Sequence, residues 1–237
     1  QIEKVLASCL SALAEGGREN FLGIVQREIL RRKIKFPVLE YFARAVFPKC
    51  PRPEIVVQKI IEVNEIGSFV VAGIFLQEIS KKRLAFAIDT ALDAMSSGNT
   101  WYACDILAER VLGNVLLRDF KNTMALFDKI SRSTNPWARR SIGVASHYAI
   151  KKGLTLANVK TLFKFLLKFA DSADFHTQRG VGWAAKTTAK FHPDFIRKKL
   201  AAIQKNPALR RWFKAKLEMG LRISELRALK RAKRNPG

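Results

Sequence analysis

The sequence is poor in acidic residues and has no long apolar run. Its 237 residues contain 20 Asp or Glu against 43 Lys or Arg, so the formal net charge is +23. Such a charge favours nucleic acid or an anionic membrane surface as a partner. No run of about eighteen apolar residues occurs, and the N-terminal residues lack the basic and apolar regions of a secretory signal. We therefore expect a soluble cytoplasmic protein without a membrane partner, associated with the nucleoid if its host is bacterial.

Metal-binding and catalytic signatures are also missing. The three cysteines, Cys9, Cys50 and Cys104, lie far apart without a CxxC pair, which argues against a disulfide framework or a cysteine zinc site. The sequence contains no GxxxxGK[ST], GxGxxG, HExxH or GxSxG motif. Its three histidines are isolated and are interpreted as surface or packing residues. No metal and no cofactor is expected, so any chemistry must use carboxylates, aromatic rings and arginines.

One periodicity accounts for most of the chain. Apolar residues make up 48% of the sequence and repeat at intervals of three and four, which is typical of amphipathic helices. Strict alternation and hairpin dipeptides such as Asn-Gly are absent, so no sheet is predicted. The clearest helical segments are residues 52–63, 82–95, 105–117 and 156–170. The expected fold class is all-α.

Short breaks between these segments predict stacked antiparallel helix pairs. Helix starts are expected at Pro136, after the N-cap residue Asn135, and at Pro193 and Pro207. Three helix pairs are predicted to begin near tryptophans at positions 101, 137 and 183, with spacings close to those of HEAT and armadillo repeats. We therefore expect one HEAT-like α-solenoid domain over residues 1–237, with a concave face along which a duplex could lie.

Positive charge is concentrated toward the C-terminus. Residues 193–237 contain 14 Lys or Arg and 3 acidic residues, and residues 228–237 read either as a disordered basic tail or as part of a binding surface. Lys160, Lys164 and Lys168 follow one another at intervals of four residues. Such a stripe is either a solvated helix face or a surface that follows a phosphate backbone.

The stretch TWYACDIL (100–107) places Trp101 and Asp105 four residues apart, on one face of a helix. The pair fits either a packed core with a capped edge or a negatively charged site within a basic surface. These alternatives stay open on the residues alone.

Three stretches together resemble the AlkD-like, HEAT-repeat alkylpurine DNA glycosylases: TWYACDIL, NPWARRSIGVASHYAIKKG (135–153) and TQRGVGWAAKTTAKFHPD (177–194). A fourth, KIKFPVLEYFAR (33–44), is similar to that family's entry to its third helix. The resemblance covers most of residues 30–215 in matching order. One departure is that the family's active members use a tyrosine from an N-terminal helix, whereas no tyrosine precedes Tyr41 here.

The resemblance implies an activity and a set of site residues. The activity is hydrolysis of the N-glycosidic bond of cationic N3- or N7-alkylated purines in duplex DNA, carried out by a monomer without a metal or cofactor. Asp105 would be the catalytic carboxylate, with Trp101 and Trp183 as catalytic aromatic residues. The residues expected to contact DNA are Arg140, Arg139, Trp137, Arg179, Lys186, Lys160, Lys164 and Lys168. Two other hypotheses are a non-catalytic HEAT-repeat protein that binds branched or damaged DNA, and a helical-repeat scaffold for protein interactions.

Overall fold

The computed structural model describes residues 2–234, and no strand occurs among them. The predicted all-α class is confirmed. None of the helices that the structure describes is long and apolar enough to cross a membrane. The described chain divides between Val111 and Leu112 into two compact units. The single HEAT-like domain expected over residues 1–237 stays a prediction.

The first unit is built around a helix that is buried on all sides. Its helices are α1 (Ile2–Ala14), α2 (Arg18–Val25), α3 (Phe36–Val46), α4 (Pro53–Glu62), α5 (Ile66–Ile79), α6 (Leu84–Gly98) and α7 (Trp101–Leu107). Helix α5 packs against α3, α4, α6 and α7. Every residue from Gly67 to Leu76 is buried, so α5 has no polar stripe. It therefore forms the core on which α7 rests.

The second unit consists of two layers of helices. Its helices are α8 (Asn114–Arg118), α9 (Phe120–Ser131), α10 (Pro136–Lys151), α11 (Leu156–Leu166), α12 (Phe175–Phe191), α13 (Pro193–Lys205) and α14 (Arg211–Arg234). Helices α10, α12 and α14 form one layer and pack side by side in that order. In the other layer, α11 packs against α10 and α12, and α13 packs against α12 and α14.

Shorter helical segments occur besides these helices. A π-helical segment covers Ala108–Gly113, another covers Gln26–Leu30, and 3₁₀ turns cover Phe47–Lys49 and Leu167–Phe169.

Glycines allow α10, α12 and α14 to pack backbone against backbone. A Cβ at Gly143 of α10 would clash with the backbone of Gly180 on α12, and a Cβ at Gly180 would clash with the Arg140 carbonyl oxygen. Gly220 of α14 has the same relation to the Lys186 carbonyl oxygen. Because a residue with a side chain would force these helices apart, the glycines fix how α12 is placed between its neighbours.

Two predicted helix starts are wrong. No helix begins at Trp183, because α12 already begins at Phe175, where the Asp174 carboxylate accepts a hydrogen bond from the Thr177 backbone N–H at 2.7 Å. No helix begins at Pro207, because the Asn206 side chain accepts from the Ala208 N–H and holds a turn there. Helix α14 starts at Arg211 instead.

Two other predicted helix starts are confirmed. Helices begin at Pro136 and Pro193, and the Asn135 side chain accepts hydrogen bonds from the first backbone N–H groups of α10. Residues 228–234 of the predicted basic tail belong to α14, and residues 235–237 lie outside the described residues.

Candidate functional site

A tight connection between α6 and α7 places Trp101 at the first position of a helix. Helix α6 ends at Gly98, and Asn99 follows in a left-handed conformation with φ of 45°. Thr100 is the N-cap residue of α7, and its hydroxyl accepts a hydrogen bond from the Ala103 N–H at 3.4 Å. A Cβ at Gly98 would lie 3.0 Å from both Ala103 and Phe69, so the turn fits closely against α5.

Helix α7 buries one face on α5 and presents Trp101 and Asp105 on another. Ala103, Cys104 and Leu107 are fully buried, which fixes the rotation of the helix. Trp101 is 60% exposed, although an indole of this size usually gains from burial. Asp105 lies one turn further along and is half-buried. The first unit thus sets an exposed aromatic ring beside a partly desolvated carboxylate.

Arg110 is bound to two other carboxylates near α7. Its aliphatic carbons pack 3.1 Å from the position that a Cβ at Gly73 would occupy. Its guanidinium forms ion pairs with Glu40 of α3 and, at 3.1 Å, with Glu109. The single guanidinium therefore offsets part of the acidic charge of these two side chains.

Trp137, Arg139 and Arg140 lie at the start of α10 and are largely packed inside the second unit. Trp137 is 7% exposed, and its ring lies 4.0 Å from that of His176 on α12. Arg140 is 9% exposed, with its guanidinium 6.0 Å from the Trp137 ring centroid. Arg139 donates to the Ser133 carbonyl oxygen at 3.0 Å. These contacts tie the beginning of α10 to its surroundings.

Trp183 lies in the middle of α12 and is stacked on a buried histidine. The ring centroids of Trp183 and His147 are 4.0 Å apart, and their planes make an angle of 23°. The Nδ1 atom of His147 is hydrogen-bonded to the Thr187 hydroxyl at 2.6 Å. Burial, reinforced by Lys151, Lys186 and Lys190, lowers the pKa of His147 to about 4. The imidazole is therefore neutral near pH 7 and holds one face of the half-buried Trp183 ring.

A group of cations lies along α12 and on the adjoining parts of α10 and α14, and we name it the α12 basic cluster. Its members are Lys151, Arg179, Lys186, Lys190, Lys216 and Arg227. Burial, together with Lys186 and Arg179, lowers the pKa of Lys216, and burial together with Arg227, Lys151 and Lys186 lowers that of Lys190. Within the described part of the chain, no carboxylate forms an ion pair with any of the six. An approaching polyanion would relieve their mutual repulsion.

The predicted lysine stripe lies on other helices. Lys160 and Lys164 are exposed on α11, in the second layer of the unit. Lys168 follows in a 3₁₀ turn, where its ammonium lies 3.9 Å from the Asp128 carboxylate and 5.1 Å from the Phe165 ring centroid. The structure therefore separates these three lysines from the α12 basic cluster.

Of the predicted site residues, Trp101 and Asp105 belong to the first unit and the others to the second. Within the second unit, the structure brings Arg179, Trp183 and Lys186 together on one face of α12. The sequence did not point to His147 of α10 or Lys216 of α14 as site residues, although both lie beside this face of α12. Lys216 was visible only as part of the basic C-terminal segment, and His147 lies 36 residues from Trp183 without any local signal.

Comparison with known proteins bears on the fold and the family of the chain. Within residues 2–234, no group of three or more His, Cys, Asp or Glu side chains is placed to hold a metal ion. No curated protein shows significant sequence similarity to the chain. A solved structure, AlkD2 from Streptococcus mutans, is similar with a TM-score of 0.62 at 13% identity, over 88% of this chain and 97% of that one. This likeness confirms the predicted fold class, an α-solenoid of HEAT-like helix pairs. Residues 30–215 match the family described as DNA alkylation repair enzyme. Since that match spans most of the sequence, the chain belongs to the DNA alkylation repair enzyme family.

Proposed function

We propose that the protein is a monofunctional DNA glycosylase that hydrolyses the N-glycosidic bond of cationic N3- or N7-alkylated purines in duplex DNA. The observation that carries this proposal is the pairing on α7 of a 60% exposed indole with a half-buried carboxylate one turn away. A tryptophan held this far out of the core on a well-anchored helix is suited to contact a ligand.

The chemistry of the lesion matches a carboxylate at the position of Asp105. Alkylation at N3 or N7 makes the purine cationic, so the base leaves without being protonated. As the bond breaks, positive charge develops on the deoxyribose, and a preorganised carboxylate stabilises that charge. Asp105 would supply this stabilisation and orient the water that attacks C1′. Trp101 would contribute a π face, worth about 0.5 to 2 kcal/mol against a cationic group.

The α12 basic cluster is the part of the second unit best suited to hold the DNA backbone. Arg179 and Lys186 lie one on each side of Trp183 along one face of α12, with Lys216 of α14 beside them. Lysine and arginine contacts to phosphates position a duplex without reading its sequence. The predicted catalytic role of Trp183 and the predicted DNA contacts of Trp137, Arg139 and Arg140 are part of this proposal. Contact of Lys160, Lys164 and Lys168 with DNA stays a prediction.

Replacement of Asp105 by Asn tests the proposed chemistry. The amide keeps the shape of the side chain but removes the charge that stabilises the transition state. We expect wild-type protein to release free 7-methylguanine from duplex DNA, and Asp105→Asn to bind the same duplex while excising at least about a hundred-fold more slowly. Asp93→Asn is the matched control, because Asp93 is an exposed carboxylate on α6 of the same unit.

Each result has a definite meaning. Excision by Asp105→Asn within a few-fold of the control would show that this carboxylate is not catalytic. Tight binding of alkylated DNA without any release of base by the wild type would instead support the non-catalytic DNA-binding hypothesis.

A further inference from the structure

A groove runs between α11 and α13 in the second layer of the second unit. Its volume is about 610 Å³. The floor is apolar: the buried Phe163 meets Phe195 edge-to-face with ring centroids 5.5 Å apart, and Leu156 and Leu167 extend the same surface. Leu156 is 45% exposed. Leu156, Leu167 and Phe195 therefore leave apolar surface open to water above the buried Phe163.

Lysines form the two walls of this groove. Lys160 and Lys164 rise from α11, and Lys198 and Lys199 rise from α13. All four side chains are exposed, and no carboxylate of the described residues forms an ion pair with them. The one acidic residue of the lining, Asp194, is bound to Arg197 at 3.2 Å. The walls thus carry an unbalanced positive charge on both sides of an apolar floor.

This groove and the α12 basic cluster belong to different layers. The residues of the cluster come from α10, α12 and α14, whereas those of the groove come from α11 and α13. If DNA binds along the cluster, the groove can take another partner in place of the DNA contact predicted for Lys160 and Lys164. Phosphates alone would also pair with the lysines while leaving Leu156 and Phe195 exposed to water, so a purely polar polyanion does not account for the floor.

The geometry points to a docking site for an acidic amphipathic helix of a partner protein. Helices that enter grooves of this kind insert apolar side chains spaced at i, i+3, i+4 and i+7. Two or three large apolar side chains would cover Phe195, Leu156 and Leu167, because each buried side chain of this size removes substantial apolar surface from water. Glutamates or aspartates on both flanks of the helix would meet lysines on both walls. The groove requires both properties, an apolar stripe and acidic flanks, in one segment.

A designed peptide provides the probe. A fluorescein-labelled helical peptide with Leu at i, i+3, i+4 and i+7 and Glu at the remaining positions is titrated with the full-length protein, and its anisotropy is recorded. We expect saturable binding that the double variant Lys198→Glu/Lys199→Glu weakens by about ten-fold or more, since charge reversal turns attraction into repulsion. Leu156→Ser, which keeps every charge and alters a surface side chain, should also weaken binding.

The matched control is Lys121→Glu/Lys129→Glu on α9, which changes the net charge equally at exposed positions outside the groove. We expect this variant to bind the peptide almost as the wild type does. Two further peptides, one with Lys in place of Glu and one with the same residues in scrambled order, should not bind. A wild-type dissociation constant above about 1 mM, or equal binding of the scrambled peptide, would overturn the proposal.

A labelled DNA duplex distinguishes nucleic acid from protein as the occupant. Under the proposal, the groove variant and the α9 control bind the duplex equally, because both carry the same change in net charge. A larger loss of duplex affinity in the groove variant would assign the groove to DNA and overturn the proposal. This outcome is independent of whether the protein releases alkylated bases.

Discussion

The imidazole of His147 stacks on the indole of Trp183, with ring centroids 4.0 Å apart and planes at 23°. The two residues come from neighbouring helices, α10 and α12, which pack through Gly143 and Gly180. The hydrogen bond between His147 and Thr187 fixes the imidazole in its plane. The orientation of Trp183 therefore depends on a histidine that is 8% exposed and flanked by cations.

Folding stability should depend on the protonation of His147. Its pKa is lowered to about 4 in the folded protein and returns toward 6.5 on unfolding. Between these values the unfolded chain binds a proton that the folded protein does not, so stability is full above pH 6.5 and falls as the pH drops toward 4. The slope is at most about 1.4 kcal/mol per pH unit. Urea unfolding at several pH values measures it.

The comparison is with His147→Gln, which cannot be protonated in this range. The stability difference between wild type and variant should shrink as the pH falls below 6.5. His192, whose pKa is also lowered by burial, is present in both proteins and cancels from the difference. Parallel curves for the two proteins would contradict the prediction.

Replacing Gly143 by Ala should destabilise the protein by about 3 kcal/mol. The new methyl group would clash with the Gly180 backbone, which cannot move aside without separating α10 from α12. Gly23→Ala is the control, because a Cβ at Gly23 on α2 meets nothing within 4 Å. That change should stabilise the protein by about 0.5 to 1 kcal/mol, since alanine favours helix. Chemical denaturation measures the free energy of unfolding of both variants. Equal changes in Gly143→Ala and Gly23→Ala would rule out close helix packing at Gly143.

The α12 basic cluster should dominate the salt dependence of DNA binding. Each lysine that contacts a phosphate contributes about 0.9 to the slope of log affinity against log salt concentration. We expect Lys186→Ala and Lys216→Ala each to reduce that slope by about one phosphate contact, whereas Lys121→Ala on α9 should leave it unchanged. Titrations of a duplex at several salt concentrations measure the slopes. Equal slopes for all three variants would mean that the cluster does not face the DNA.

The protein should act on 7-methylguanine and leave uracil untouched. Uracil is neutral and would need a proton from an acid beside Asp105, whereas the cationic purine needs none. Water is the expected nucleophile, so borohydride should trap no covalent complex. Lys190 and Lys216 are the amines best suited to form such a complex, because burial lowers the pKa values of both and a low pKa favours Schiff-base formation.

One gel series with and without borohydride tests both statements. Trapping that persists in Asp105→Asn but disappears in Lys216→Arg would identify an amine nucleophile and contradict the proposed chemistry. Cleavage of the uracil duplex at a comparable rate would show that the enzyme can protonate a neutral base.

Local sequence predicted the amphipathic helices well and the buried helix poorly. Helix α4 and α6 have apolar stripes, and their segments were identified within a few residues of their ends. Helix α5 is apolar on every side, so its periodicity carries no signal. The start of α12 depends on the Asp174 cap, which outweighs the position of Trp183. Helix caps and apolar stripes are local features that can be recognised in a single sequence, and Asp174 is such a cap.

The candidate site was predictable only where its residues are close in sequence. Trp101 and Asp105 could be paired from their spacing on one helix. The packing of α10, α12 and α14 sets the contact of Trp183 with His147 and brings the cations Lys186 and Lys216 close enough to repel one another. That packing depends on Gly143, Gly180 and Gly220, whose significance appears only when the helices are seen against one another.

The α12 basic cluster also affects the protein when no DNA is present. Six cations held close together repel one another in the folded state, and the unfolded chain lets them move apart. This repulsion therefore lowers the free energy of unfolding. Small anions such as sulfate or phosphate should raise the melting temperature more than chloride at equal ionic strength. The same face should keep two copies of the protein apart at low salt. Preparations of the protein should carry nucleic acid until high salt displaces it.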